Sequence, residues 1–64
     1  MMLSEFLDDQ IFDEQINIYL DNNLIMSGIS SRSIHNNPQF NTIKSCVITL
    51  VDRHYMEINI YVSM

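Results

Sequence analysis

The feature that most constrains this chain is that no disulfide can cross-link it internally. The sequence has 64 residues and a single cysteine, Cys46, so no disulfide can close within one copy. A domain of this size buries only about 60% of the surface that its unfolded chain exposes, which leaves a marginal core. Domains this small usually need a disulfide, a metal or association. We therefore expect one domain over residues 1–64, with added stability from a second copy or a partner.

Composition predicts a folded cytoplasmic protein. Hydrophobic residues make up 47% of the chain, and glycine and proline occur once each, which is not a disordered composition. No apolar run reaches the roughly 18 residues of a membrane span, and acidic residues interrupt the start of the chain, where a secretory signal is apolar. A lone cysteine fits a reducing compartment. We expect a cytoplasmic location and no membrane association.

Charge is distributed unevenly along the chain. The net charge is −5, and six of the eight acidic residues precede the first basic residue, Arg32. Proteins that bind nucleic acid directly neutralise phosphates with Lys and Arg, so direct nucleic-acid binding is not expected. An acidic front end instead favours a partner protein with a basic surface.

The segment from Ser4 to Met26 predicts an N-terminal acidic helix. Ser4 is a favourable N-cap, and Gly28 follows the last apolar cluster, as a residue that ends a helix often does. One helical stripe is apolar and comprises Phe12, Ile16, Tyr19 and Leu20. The apolar face switches around Asp8 and Asp9, so the segment either breaks there or is covered on two sides.

A repeated tetrapeptide leaves residues 14–20 open between helix and strand. Ile16-Asn17-Ile18-Tyr19 recurs as Ile58-Asn59-Ile60-Tyr61, and this pattern also alternates as a strand does. Helix is the preferred interpretation of residues 12–25. Because the chain is rich in Ile and Asn, the match is interpreted as coincidence and not as a duplicated unit.

Residues 27–41 predict an irregular connector. Serine and asparagine are frequent in it, and Pro38 removes a backbone donor and pushes Asn37 out of helical geometry. Three apolar side chains are expected to anchor this connector on the core: Ile29, Ile34 and Phe40.

The C-terminal third predicts an antiparallel β-hairpin, with strands from Thr42 to Val51 and from Tyr55 to Val62. The inner rows are predicted to be Met56, Ile58, Ile60 and Val62 on the second strand and Cys46, Ile48 and Leu50 on the first. The outer row of the second strand is Tyr55, Glu57, Asn59 and Tyr61. We place Asp52 and Arg53 at the turn, where the lack of glycine favours a four-residue loop over a tight one.

One helix on a two-stranded hairpin gives a thin core and leaves both strands with bare edges. We therefore expect a homodimer to complete the sheet, or strand addition to a partner, with the second strand as the pairing edge. The alternative is a third strand, formed within residues 25–40, that covers one edge.

Two groups of residues are candidates for partner binding. The first is an acidic face, comprising Glu5, Asp8, Asp9, Asp13 and Glu14. It is either a solvated helix face or a row of charges that mimics DNA phosphates. The second is the mixed face of the second strand, comprising Tyr55, Glu57, Asn59 and Tyr61. Tyrosine is favoured in interfaces, although these side chains could also simply cover the sheet of a monomer.

Catalysis is not expected. The polar residues from which a nucleophilic or metal site would have to be built are His35, Cys46, Asp52 and His54. Cys46 lies on the inward row of its strand, where cysteine usually acts as a small inert hydrophobe. A single glycine excludes a phosphate-binding loop, and no spaced Cys/His motif occurs. We predict no enzyme activity, no metal and no cofactor.

These expectations combine into an α+β binding protein. We expect a small intracellular regulator or inhibitor that occupies a surface of a larger protein. Its composition is similar in style to that of small proteins of phages and mobile elements. One alternative is a structural module whose homodimer is its function. The other is a DNA mimic that inhibits a nucleic-acid-binding protein through the acidic helix.

Overall fold

Four strands and two short helices make up the computed structural model, which describes residues 1–8, 14–30 and 32–64. In chain order they are α1 (Leu3–Asp8), β1 (Gln15–Leu20), β2 (Asn23–Ser30), a 3-10 turn (Ile34–Asn36), α2 (Phe40–Ile43), β3 (Val47–His54) and β4 (Glu57–Ser63). The fold class is therefore α+β, as the sequence predicts.

The strands form one mixed sheet in the order β2-β1-β4-β3. The β1–β2 and β3–β4 pairs are antiparallel hairpins, whereas the central strands β1 and β4 run parallel to each other. A parallel pair needs a long crossover connection. Here that connection consists of β2, the 3-10 turn, α2 and β3. One copy of the chain therefore supplies both neighbours of each central strand.

The repeated tetrapeptide lies at the centre of this sheet. β1 and β4 pair in register, so each residue of the first copy lies beside its equivalent in the second, from Ile16 beside Ile58 to Tyr19 beside Tyr61. Isoleucines therefore meet on one face of the sheet, while asparagines and tyrosines meet on the other. The tetrapeptide belongs to the first strand of one hairpin and to the second strand of the other. The two hairpins are therefore not copies of one unit.

The hydrophobic core lies between the isoleucine face of the sheet and the helices. Its buried residues are Leu3, Leu7, Ile16, Ile18, Met26, Ile34, Phe40, Ile43, Cys46, Ile58, Ile60 and Val62. Ile34 and Phe40 anchor the connector, as predicted, and Ile29 packs partly buried against the same cluster.

The start of the chain runs along the first part of β3. The Leu3 N–H donates to the Cys46 carbonyl at 2.9 Å, and the Ile48 N–H donates to the Met1 carbonyl at 2.9 Å. The Glu5 carboxylate accepts a hydrogen bond from the Met2 N–H at 2.9 Å, which satisfies a donor at the helix N-terminus. The predicted N-cap, Ser4, lies inside α1.

The predicted helix from Ser4 to Met26 is wrong from residue 15 onward; α1 covers Leu3–Asp8, and residues 9–13 lie outside the described residues. Residues 15–20 and 23–30 are strands. Strand geometry explains this, because it turns both Ile16 and Ile18 into the core, where each is 0% exposed. The helical stripe would have left Ile18 outside, and its first member, Phe12, lies outside the described residues.

A two-residue turn separates β1 from β2 in place of helix. Asp21 has φ 49° and Asn22 has φ 69°. Two successive positive φ angles define a type I′ turn, whose twist matches that of the flanking strands. Asp and Asn tolerate this left-handed backbone better than other residues with a side chain. Asp21 and Asn22, which fall within the predicted helix, therefore form a hairpin turn.

The C-terminal hairpin is confirmed, with corrections at its first strand. β3 starts at Val47 and not at Thr42, because residues 40–43 form α2. The register of β3 against β4 shifts between Ile48 and Leu50. This bulge brings Val51 to the core face and turns Leu50 outward, where it is 55% exposed. The predicted inner position of Leu50 is therefore wrong.

The hairpin turn is also shorter than predicted. Asp52 and Arg53 belong to β3, and the turn consists of Tyr55 and Met56 alone, so the four-residue loop is wrong. Met56 has φ 58°, a left-handed conformation that lets the strands join without glycine. Its side chain is exposed at the turn and does not join the predicted inner row.

The prediction that β4 is the pairing edge is wrong. β4 lies between β1 and β3 and is paired on both sides, so the edges of the sheet are β2 and β3. A strand does cover the hairpin edge, but it is β1 and not a strand within residues 25–40. The premise of a two-stranded sheet is therefore wrong, and the homodimer stays a prediction.

Candidate binding face

Neither helix packs on the side of the sheet opposite the core, which we call the outer face. Three cross-strand rows of side chains define it. The apolar row is Leu24, Tyr19, Tyr61 and Leu50; the amide row is Asn17, Asn59 and Asp52; the end row is Ser30, Gln15, Glu57 and His54. Each row follows from the registers of the paired strands, because partners across a sheet point to the same side.

The apolar row crosses all four strands. At its centre the rings of Tyr19 and Tyr61 stack with centroids 4.5 Å apart and planes inclined by 13°. A leucine flanks the pair on each edge strand, and Leu24 is 52% and Leu50 55% exposed. Large apolar side chains that stay half exposed in a continuous row mark a surface suited to contact with another molecule.

The amide row centres on Asn17, whose side chain is only 7% exposed. Its Nδ2 donates to the Glu57 carboxylate at 2.5 Å and to Asn59 Oδ1 at 2.9 Å. Its Oδ1 accepts from Ser27 Oγ at 3.1 Å and from the Gly28 N–H at 2.9 Å. Two donors and two acceptor sites are the full capacity of an asparagine amide. Asn17 therefore ties β1 to both of its neighbours.

A bulge in β2 makes these bonds possible. The register of β2 against β1 shifts between Ile16 and Ile18, so that Ser27 and Gly28 both lie opposite Asn17. Gly28 has φ +65°, and a Cβ added there would meet nothing within 4 Å. The glycine is therefore needed for its backbone conformation and not for space, as in bulges with a left-handed residue. The prediction that Gly28 ends a helix is wrong.

The end row borders a shallow cleft at the end of the sheet where the β3–β4 turn lies. The cleft has a volume of about 480 Å³ and is lined by Glu14, Gln15, Gly28, Ser30, Tyr55, Met56 and Glu57. Beside it, His54 Nε2 lies 3.0 Å from Asp52 Oδ2 on the outer face. This end of the face is polar, whereas the opposite end is apolar.

Among the Asp, Glu, Lys and Arg residues, only acidic ones belong to the rows of the outer face. Asp52 and Glu57 belong to its rows, whereas none of the three basic residues of the chain does. Arg53 points to the core side, where its guanidinium lies 5.7 Å from the centroid of the Phe6 ring and 3.6 Å from the Glu14 carboxylate. Arg53 therefore lies on the core side of the sheet, whereas Asp52 and Glu57 lie on the outer face.

The predicted acidic face is not assembled as one helical surface. Glu5 and Asp8 are exposed on α1, and Asp8 lies 3.7 Å from His35 Nε2. Glu14 precedes β1 and pairs with Arg53. Asp9 and Asp13 lie outside the described residues. Glu14 lies outside any described helix, so the five acids do not all belong to one helix, and the DNA-mimic alternative stays a prediction.

Three of the four residues of the predicted partner face lie on one surface. Glu57, Asn59 and Tyr61 share the outer face of β4, since alternate residues of this strand are buried on the core side. Tyr55 does not belong to this row, because it lies in the turn and is 92% exposed. Sequence reasoning missed the contributions of Asn17 and Tyr19 because it assigned them to a helix. The repeated tetrapeptide was the signal that could have placed them beside β4.

The residues considered for nucleophilic or metal chemistry do not form a recognisable site. Cys46 is buried in the core, and the His35 ring packs edge-on against Phe40 with centroids 5.3 Å apart. No group of three or more potential metal ligands occurs among residues 1–8, 14–30 and 32–64. Within the same residues, no helix has the length and hydropathy to cross a bilayer.

Comparisons with protein-family models, with curated protein sequences and with solved structures find no match to this chain.

Proposed function

We propose that this protein is a small regulator or inhibitor that binds a larger protein through the outer face of its sheet. The observation that carries the proposal is the apolar row, in which two stacked tyrosines lie between two half-exposed leucines. Tyrosine is enriched among the residues that dominate binding energy. The row is contiguous, so one partner surface can cover all four side chains.

Pre-organisation supports this role. Stacking holds the Tyr19 and Tyr61 rings in place, and paired strands hold the backbone beneath them. Side chains that are already ordered lose little conformational entropy when a partner covers them. Covering the exposed half of each leucine contributes roughly 1 kcal/mol per residue. The four side chains of the apolar row can therefore contribute appreciable binding free energy although the surface is small.

We propose binding and not catalysis for this face. The most buried polar side chain on it, Asn17, already makes four hydrogen bonds within the sheet. A group that acts on a substrate needs hydrogen-bonding capacity directed outward. The Asn17 amide instead uses this capacity to hold β1 to both of its neighbours, which suits a rigid contact surface.

Affinity capture with a matched pair of variants tests the proposal. The double variant Leu24→Ser/Leu50→Ser removes the exposed leucines from the apolar row. Met64→Ser removes an 87% exposed apolar side chain that lies outside the three rows. Each immobilised protein is exposed to a lysate of the cells that produce it, and captured proteins are quantified by mass spectrometry.

We expect the double variant to capture about tenfold less of the partner protein than the wild type does, or less still. The reason is that roughly 2 kcal/mol of apolar contact is lost. The Met64→Ser variant should capture as the wild type does. Cooperative thermal unfolding of both variants shows that they are folded. Equal capture by the double variant would overturn the proposal.

A further inference from the structure

We infer that the partner surface carries an apolar side chain next to a Lys or Arg side chain, and that the cation lies at the Asp52–Glu57 end of the outer face. This inference rests on the proposed function and specifies the chemistry of the partner. It follows from the order in which the three rows succeed one another along the strands.

The outer face changes from apolar to anionic along β4. Tyr61 belongs to the apolar row, Asn59 to the amide row beside Asp52, and Glu57 to the end row. Two residues along a strand span about 6.6 Å and four span about 13 Å. A partner cation is therefore expected about 7 to 13 Å from the partner side chain that covers the tyrosines.

Both outward carboxylates can accept a further donor. Glu57 Oε1 accepts from Asn17 Nδ2, and Asp52 Oδ2 contacts His54 Nε2. An ionised carboxylate has two oxygens with about four acceptor positions between them. Hydrogen bonds from Lys or Arg to carboxylates are stronger than neutral ones, and Arg offers two parallel donors. The hydrogen bonds within the sheet also fix the Glu57 carboxylate in position.

Charge complementarity selects this partner over two others. A second copy packed outer face to outer face would offer Asp52 and Glu57 no Lys or Arg side chain, and both faces would be acidic. Like charges across an interface disfavour such a complex. A nucleic acid would place its phosphates against the same carboxylates, on a chain whose net charge is −5.

Three defined peptides test the inference. Acetyl-Leu-Ser-Arg-amide presents an apolar side chain and a cation two residues apart, acetyl-Leu-Ser-Glu-amide reverses the charge, and acetyl-Ser-Ser-Arg-amide lacks the apolar group. Each is titrated into the ¹⁵N-labelled full chain at low ionic strength, and chemical shifts are followed at the backbone amides of Tyr19, Tyr61, Asp52 and Glu57.

We expect the Leu-Ser-Arg peptide to shift these amides at millimolar concentration, with an affinity about three- to tenfold above that of each of the other two peptides. The double variant Asp52→Asn/Glu57→Gln should abolish the preference for arginine over glutamate. Glu57→Gln keeps a side-chain oxygen that can accept the hydrogen bond from Asn17 Nδ2. Sodium chloride at 0.5 M should also reduce the preference, since it screens exposed charges.

Equal affinity for the arginine and glutamate peptides, or shifts confined to another surface, would overturn the inference. Absence of binding by the arginine peptide would overturn it as well. These outcomes are separate from failure of the proposed function, which would appear as lysate capture that Leu24→Ser/Leu50→Ser does not change.

Discussion

The two hairpins of this protein contain the same tetrapeptide and use it differently. In the β3–β4 hairpin, Ile58 to Tyr61 lies in a strand of regular alternation with a half-exposed asparagine. In the β1–β2 hairpin, Ile16 to Tyr19 lies opposite a bulge, and its asparagine is buried and fully hydrogen-bonded. The same four residues therefore serve as a regular strand in one place and as the centre of a polar network in the other. Neighbouring strands, and not the tetrapeptide, decide which role it takes.

The largest expected effect tests whether the two central strands contribute equally to the core. Ile18 and Ile60 are paired, and each is 0% exposed. Ile18→Ala and Ile60→Ala should each lower the free energy of unfolding by about 2–5 kcal/mol, because each leaves a cavity. Urea unfolding followed by circular dichroism measures this, with Leu50→Ala expected within about 0.5 kcal/mol of the wild type.

A much smaller effect at Ile18 than at Ile60 would contradict the equivalence of the two strands. If the alanine variants do not fold, Ile18→Val and Ile60→Val keep the comparison measurable. Each is expected to cost about 1 kcal/mol.

The second prediction separates the two asparagines. Asn17→Ala should lower the free energy of unfolding by about 2–3 kcal/mol, because it removes a buried amide that makes four hydrogen bonds and leaves the Gly28 N–H and other groups without their partner. Asn59→Ala removes one acceptor of the same network and should cost about 1 kcal/mol. Denaturant unfolding of both variants measures the two losses in the free energy of unfolding. If these losses were similar, burial of Asn17 would not be what distinguishes the hairpins.

The third prediction concerns the bulge of β2, which contains a residue with a left-handed backbone conformation, Gly28; the bulge of β3 contains none. Gly28→Ala should cost about 1–2 kcal/mol, since a Cβ is disfavoured at φ +65° even with open space around it. Thr49→Ala, at the bulge of β3, should cost clearly less because its φ is not positive. Thermal unfolding of the pair checks this, and an unchanged melting temperature for Gly28→Ala would refute the strain argument.

The smallest effect compares the two turns. Met56 holds φ 58° with a large side chain, whereas Asn22 holds φ 69° with a residue that tolerates it. Met56→Gly should therefore stabilise the protein by about 1 kcal/mol, and Asn22→Gly should change stability by a few tenths at most. Differential scanning calorimetry measures both shifts. A larger gain from Asn22→Gly would reverse our view of which turn is strained.

The difference between the hairpins also explains which parts of the fold could be predicted from sequence. β4 alternates strictly between Glu57 and Val62, so its core row and its outer row both follow from the period of a strand. β1 is shorter, and its isoleucines also fall close to helical spacing with Tyr19 and Leu20. Local pattern could not choose between these states, because the deciding partner, β4, lies about 40 residues away.

The candidate binding face shows the same division. Glu57, Asn59 and Tyr61 could be assigned to one surface from alternation alone. Leu50 could not, because the bulge near Thr49 reverses the side to which the following residue points. Tyr19 and Leu24 could not, because their place on this face depends on the order of strands in the sheet.

The sequence by itself determined the α+β class, the C-terminal hairpin, the apolar anchors of the connector and the concentration of acid before Arg32. These properties depend on composition and on local periodicity. Only the tertiary structure decided that residues 15–30 are strands, that β4 is central, and that Tyr19 stacks on Tyr61 between two exposed leucines. The physical reason is that strand pairing is a non-local interaction, whose free energy comes from residues far apart in the chain.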